Sequence, residues 1–188
     1  MKRILLVAFV LLQTTVFAQT PWTVDKAHSR LAFTVTHLGI SDVSGAIKNF
    51  DVTINSSKED LSDAVIELKA DVSSIDTEVE MRDNHLKSAD FFNVEKFPSI
   101  TFKSTSVKKA GKDKYKVTGN LTMLGTTKPV TLDLVHRGTV TNPMNKKPTA
   151  GFQLTGTLKR SDFGVGPKFP APVISDEVQI KADGEFTK

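Results

Sequence analysis

The chain reads as an all-β protein: a single extended, closed antiparallel barrel of about eight strands, with one short helix between strands. Three observations carry that reading. Apolar and polar residues alternate at period two through most of the chain, the mark of half-buried strands. Turn residues recur at hairpin spacing. One segment changes its apolar phase midway, as a strand does where it bends.

The alternating segments run in order. Leu31, Phe33 and Val35 share one face, with Arg30, Thr34 and Thr36 on the other. Val43, Gly45 and Ile47 are apolar at odd positions, then Phe50, Val52 and Ile54 at even ones. A single extra residue around Lys48–Asn49 returns both sets to one side, so a β-bulge is expected there. Ala64, Ile66, Leu68, Ala70 and Val72 alternate with Glu67, Lys69 and Asp71. Tyr115, Val117, Leu121 and Met123 form a further dry face, as do Val130, Leu132 and Leu134. Phe152, Leu154, Gly156 and Leu158 follow, and Val178, Ile180, Ala182, Gly184 and Phe186 close the series. One wet and one dry face per strand means an antiparallel sheet rather than buried parallel strands. Ala110-Gly111-Lys112-Asp113 reads as a tight hairpin, Gly125 to Pro129 as the next connection, and Asn142 to Pro148 as a looser loop. Closing the sheet removes the edges that so many strands would expose. Small residues on the dry faces, such as Ala182 and Gly184, leave room inside, unless bulky neighbours fill a barrel of this size.

One helix is expected. Thr77-x-x-Glu80 has the form of a capping box. Val79, Leu86 and Ala89 mark one face, and Pro98 blocks continuation. Lying between strands, the helix is expected to plug one end of the barrel.

Composition narrows the classes of function. The 188 residues suit one domain and can bury a core without staples. No cysteine is present, which excludes a disulfide framework, Cys-ligated zinc, a thiol nucleophile and a lipoprotein anchor cysteine. Lys2 and Arg3, the apolar run Ile4–Leu12 and the Val16-Phe17-Ala18 site read as a signal peptide, residues 1–18, cut after Ala18. That run is too short to span a membrane. The mature domain is then residues 19–188, with 23 basic against 21 acidic residues once Lys2 and Arg3 are removed from 25. An exported chain belongs in the periplasm or outside the cell. No basic run interleaves with aromatics, so nucleic acid is not an expected partner.

Polar residues that end dry faces carry the functional signal. His37 follows Leu31, Phe33 and Val35; His136 follows Val130, Leu132 and Leu134; Arg160 follows Phe152, Leu154 and Leu158. Arg82, Asp83 and His85 cluster in the helix. Each histidine could instead be a core or rim residue with a satisfied hydrogen bond, and Arg160 a side chain snorkelling to the rim. Taken together, an apolar lumen with polar groups at one mouth suits a long apolar ligand with a polar head. The Gly- and Pro-rich stretch from Arg160 to Val173 is long enough for a lid or an ordered surface loop.

Five stretches of the chain, in order, resemble the YceI-like family of bacterial polyisoprenoid-binding proteins. They are Trp22-Thr-Val-Asp25-Lys-Ala-His28-Ser29 leading through Phe33 and His37 to Gly45; Met81-Arg82-Asp83-Asn-His85-Leu86 leading through Phe91-Phe92 to Phe97-Pro98; Ile100-Thr-Phe102; Gly119 to Val130; and Arg160-Ser161-Asp162-Phe163-Gly164. The resemblance implies a lipocalin-like barrel holding an isoprenoid or other long-chain amphiphile, with no established catalysis. It implies a polar signature of His28, His37, Arg82, Asp83, His85, Arg160 and Asp162, to which His136 is added from its place on its strand. It also implies wall residues Phe33, Val35, Phe91, Phe92, Phe102, Leu132, Phe152 and Phe163. Asp83 and Asp162 could instead pair with Arg82 and Arg160.

The expected function is non-enzymatic binding, transport or storage of such a lipid, without catalytic residues, metal or cofactor; a homodimer stays open. Two alternatives compete. One is a metal-assisted hydrolase drawing on the four histidines, though no close ligand spacing such as HExxH occurs. The other is a structural, envelope-stress module with a filled barrel. A serine hydrolase is disfavoured because no Gly-x-Ser-x-Gly is present.

Overall fold

The computed structural model describes residues 21–58 and 60–188; the expected leader lies outside them. Among the described residues, ten strands and one α-helix follow the order β1 (Trp22–His37), β2 (Ser41–Ile47), β3 (Phe50–Asn55), β4 (Val65–Asp71), β5 (Ile75–Asp76), α1 (Glu80–Lys87), β6 (Ser99–Gly111), β7 (Lys114–Met123), β8 (Thr126–Thr141), β9 (Pro148–Lys159) and β10 (Glu177–Thr187). All pairings between these strands are antiparallel, and β10 closes onto β1. Because β2 with β3, and β4 with β5, are each one bent strand, the wall is an eight-stranded up-and-down meander.

The expected bulge at Lys48–Asn49 is instead a break between ladders. The Lys48 and Asn49 amides leave the sheet and donate to Ser74, and the Asn49 carbonyl accepts from the Asp71 amide. The purpose inferred from the phase change holds, since Ile47 and Phe50 are both buried in the core. The connection expected at Gly125–Pro129 is tighter: Leu124 and Gly125 alone turn the chain, Thr126 already pairs with Met123, and Pro129 sits in the ladder opposite Asn120. The capping box does not form. The helix begins after Val79, which offers no side-chain bond, and Val79 and Ala89 are exposed. Thr77 is buried and spent elsewhere.

Strand direction sorts the barrel into two ends. One, the mouth, carries the Leu38–Ile40 turn, the Leu124–Gly125 turn, α1 and the long connection from Arg160 to Asp176. The base carries the start of β1, the end of β10 and the β6–β7 and β8–β9 hairpin turns. No described helix is long and apolar enough to cross a membrane.

Candidate functional site

An apolar chamber of about 340 Å³ lies under the mouth. Inward faces of β1, β9 and β10 supply Phe33, Val35, Leu158, Val178 and Ile180. Where the upper edge of β2 lacks a second strand partner, α1 and the segment behind it complete the wall with Leu86, Phe91 and Phe92. The Arg160–Asp176 connection roofs the chamber with Val165, Phe169, Val173 and Ile174. This stretch, read from sequence as a lid or a surface loop, is therefore the roof.

Arg160 builds that roof. It is buried, and all five of its N–H groups donate to main-chain carbonyls: Ser175 (3.0 Å), Val165 (3.0 Å), Gly166 (2.8 Å), Ile174 (3.0 Å) and Phe169. A planar fork with five donors suits a curl of carbonyls that no strand can satisfy. Its donors are spent, so Arg160 holds the lid rather than a ligand head. Two carboxylates tie the lid down. Asp176 accepts from the Ser161 amide and hydroxyl, which hold its carboxyl below the usual range. Asp90 pairs with Lys168 at 2.6 Å, and that lysine is the main cause of its lowered pKa. The Ser175 amide donates to the Thr36 carbonyl, joining the lid to the end of β1. Gly166 sits at φ 61°, and a Cβ there would lie 2.7 Å from the Phe91 ring, so the lid backbone lies directly against the roof aromatics.

The helix cluster is organised by Thr77. Its hydroxyl donates to Asp83 (2.6 Å) and accepts from Arg82 Nε (2.7 Å), while Arg82 Nη2 donates to the Thr77 carbonyl (2.6 Å). Asp83 thus meets Arg82 through Thr77, not in a direct pair. Arg82 keeps three N–H groups without a partner among the described residues. It lines both the chamber and a polar cleft outside it with Arg30, Asp42 and Asp76, so it stands in the wall between them. His85 lies edge-on to Phe91 (5.0 Å) and Phe169 (5.5 Å), 3.6 Å from Asp90. His37, at the rim, also lines the chamber.

Eight of the residues singled out from sequence therefore meet in one place: His37, Arg82, His85, Arg160, Phe33, Val35, Phe91 and Phe92. The others do not. His136 had been expected at the same mouth as His37 and Arg160. Strand β8 runs opposite to β1 and β9, so its end falls towards the base, where His136 stacks on Phe152 at 5.0 Å and bonds Thr139. Phe102 and Phe152 line a separate apolar void of about 90 Å³ in the base half. Leu132 and Phe163 are packed in the core and line neither space. Asp162 is on the surface with Lys128 at 3.1 Å, not with Arg160. His28 is on the surface bonded to Asp25 at 3.0 Å; that bond, with the charges of Asp25 and Glu185, raises its pKa. Asp25, His28 and Glu185 come within 4.8 Å of one another, but on the exterior and outside the chamber lining. Sequence reading missed Val165, Phe169, Val173 and Ile174 as lining; only the roof's own geometry brings them in.

Fold and chamber together define a small closed antiparallel barrel with a lidded apolar interior. A YceI-like domain model matches residues 22–186. The chain belongs to the YceI-like family. Protein YceI of Salmonella arizonae is 42% identical over 144 residues, covering 76% of this chain and 74% of that one. Among solved structures, Burkholderia cenocepacia BcnA superposes with a TM-score of 0.78 at 27% identity, covering 86% of this chain and 98% of its own. A polyisoprenoid binding domain from Saccharophagus degradans, implicated in plant cell wall breakdown, shares the fold at TM-score 0.68 and 14% identity, covering 89% of this chain and 97% of its own.

Proposed function

We propose that the chain is an exported lipid-binding protein that holds the apolar part of an amphiphile, an isoprenoid chain or similar, in the mouth chamber without transforming it. The observation that carries this is the chamber itself: about 340 Å³ lined mostly by aliphatic and aromatic side chains, with His37, Thr77, Arg82, His85 and Arg160 as its polar lining. At roughly 30 Å³ per water-sized group, that space takes about a dozen carbon-sized groups, or two to three isoprene units. Each buried methylene contributes about 0.8 kcal/mol, so such a chain binds measurably. Arg82, which shares the chamber lining with His37 and His85, meets the polar end as a hydrogen-bond donor. Family membership and the likeness to a polyisoprenoid binding domain support the same reading. Commitment of Arg160 and Asp83 to holding the fold supports binding over catalysis.

The test is titration of the purified protein with farnesol, followed by calorimetry and native mass spectrometry. One farnesol per chain is expected, with binding lost in Val178→Phe, which fills the chamber. Absence of binding by a folded wild-type protein, or equal binding by the filled variant, overturns the reading.

A further inference from the structure

We propose that the base of the barrel, remote from the chamber, docks on an anionic phospholipid surface. The β6–β7 and β8–β9 hairpin ends lie side by side there: Lys114 pairs with Val135, and the His136 amide donates to the Asp113 carbonyl at 2.8 Å. Residues 108–114 present Lys108, Lys109, Lys112 and Lys114, and residues 137–147 present Arg137, Lys146 and Lys147. All seven cations are exposed. Asp113 is the one carboxylate within these two segments, so they carry +6 in a chain whose whole formal charge is +4. Asp60 and Asp63 stand on the neighbouring loop, and Asp63 is already bonded to the hydroxyls of Ser56 and Ser57. None of the seven cations makes an ion pair among the described residues, so their charge is not offset within the patch beyond Asp113.

Apolar side chains stand among these cations. Met144 is 92% exposed and Val140 66% exposed, both on the β8–β9 hairpin that carries Lys146 and Lys147. A bare polyanion needs no such side chains. The boundary between head groups and acyl chains buries them while phosphates meet the lysines. Docking by the base leaves the mouth facing away from the bilayer.

Co-sedimentation with phosphatidylcholine vesicles, with and without about a third phosphatidylglycerol, reads the ratio of anionic to neutral binding. A preference for the anionic vesicles that collapses at high salt is expected. With each basic group contributing about 1 kcal/mol near an anionic surface, Lys146→Glu with Lys147→Glu lowers that preference about thirtyfold or more, at unchanged thermal midpoint. Met144→Ser weakens vesicle binding but not binding to heparin. Lys112→Glu on the other hairpin lowers the preference in the same direction and serves if the double variant does not fold. Equal binding to both vesicle types overturns the proposal. So does heparin binding as tight as vesicle binding together with an inert Met144→Ser, which assigns the surface to a soluble polyanion.

Discussion

In the mouth half of the barrel, about 340 Å³ stands open between the walls; in the base half, the same kind of alternating strands leave about 90 Å³. The difference lies in where the large side chains are aimed. In the base half Phe50, Phe102, Phe152 and Phe186 project from four strands into the lumen, and Phe152 meets Phe186 edge-on at 5.5 Å. In the mouth half Phe91 and Phe169 stack on each other at 4.8 Å in the roof, and Phe33 lies against the wall over Gly45. The hollow half is therefore held by its roof, and Arg160 holds the roof. A barrel can be stable and still contain a site when packing and binding are assigned to different ends.

The largest test of that division is Leu132→Arg. Leu132 is buried in the core, and a guanidinium there has no partner and no route to water. Loss of roughly 4 kcal/mol or more, or no folding, is expected in urea denaturation. Ile174→Arg, on the half-buried lid, should leave the protein folded because the long side chain reaches the rim. Equal damage from both would erase the distinction between the halves.

Arg160→Met comes next. It leaves five carbonyls without their donor, and roughly 3 kcal/mol of stability should be lost. Bound ligand should dissociate faster, while hydrogen exchange in the base-half strands stays slow. Uniform loosening of both halves would show that Arg160 supports the barrel rather than the lid.

Gly45→Val sharpens the comparison from inside. A Cβ at Gly45 would lie 2.5 Å from Phe33 Cζ, so the ring must swing into the chamber. About 1–3 kcal/mol of stability is lost to overpacking, and ligand affinity should fall more than tenfold. Unchanged affinity would mean that the ligand does not pass Phe33.

Acid should loosen the ties that hold the roof. Asp176 and Asp90 are held below the usual carboxylate range by their lid partners. Groups with depressed pKa contribute stability above pH about 4, and that contribution is lost as pH falls through their folded values. Ligand release below about pH 4, ahead of the unfolding transition, is the expected outcome; release and unfolding at one pH would contradict it. The smallest effect belongs to His28→Ala. Its bond to Asp25 lies at the solvent-facing surface, and neither the thermal midpoint nor ligand affinity should move.

Much of this was legible in the residues. Alternation placed Phe33, Val35, Leu158 and Ile180 on inward faces, and the phase change at Lys48–Asn49 located the bend. The separation of His136 from His37 follows from strand count as well, since an up-and-down meander reverses each successive strand, although the sequence reading places both at one mouth. The role of Arg160 was not legible. Its partners are carbonyls 5 to 15 residues ahead, and a carbonyl carries no mark in the sequence of whether it lacks a donor. Thr77 and Glu80 matched a helix cap by spacing, but Asp83 and Arg82 competed for the same hydroxyl and won.

The order of residues by itself determined the wall: the number of strands, their faces, the hairpins and the bent segment. Each of these depends on neighbours within a few positions and on the two-residue repeat of an extended chain. Only the tertiary structure decided which half is hollow, which end Arg82 and His85 face and what Arg160 binds. Those depend on how far side chains from opposite walls reach across a closed lumen, a distance set by closure and tilt rather than by any local pattern.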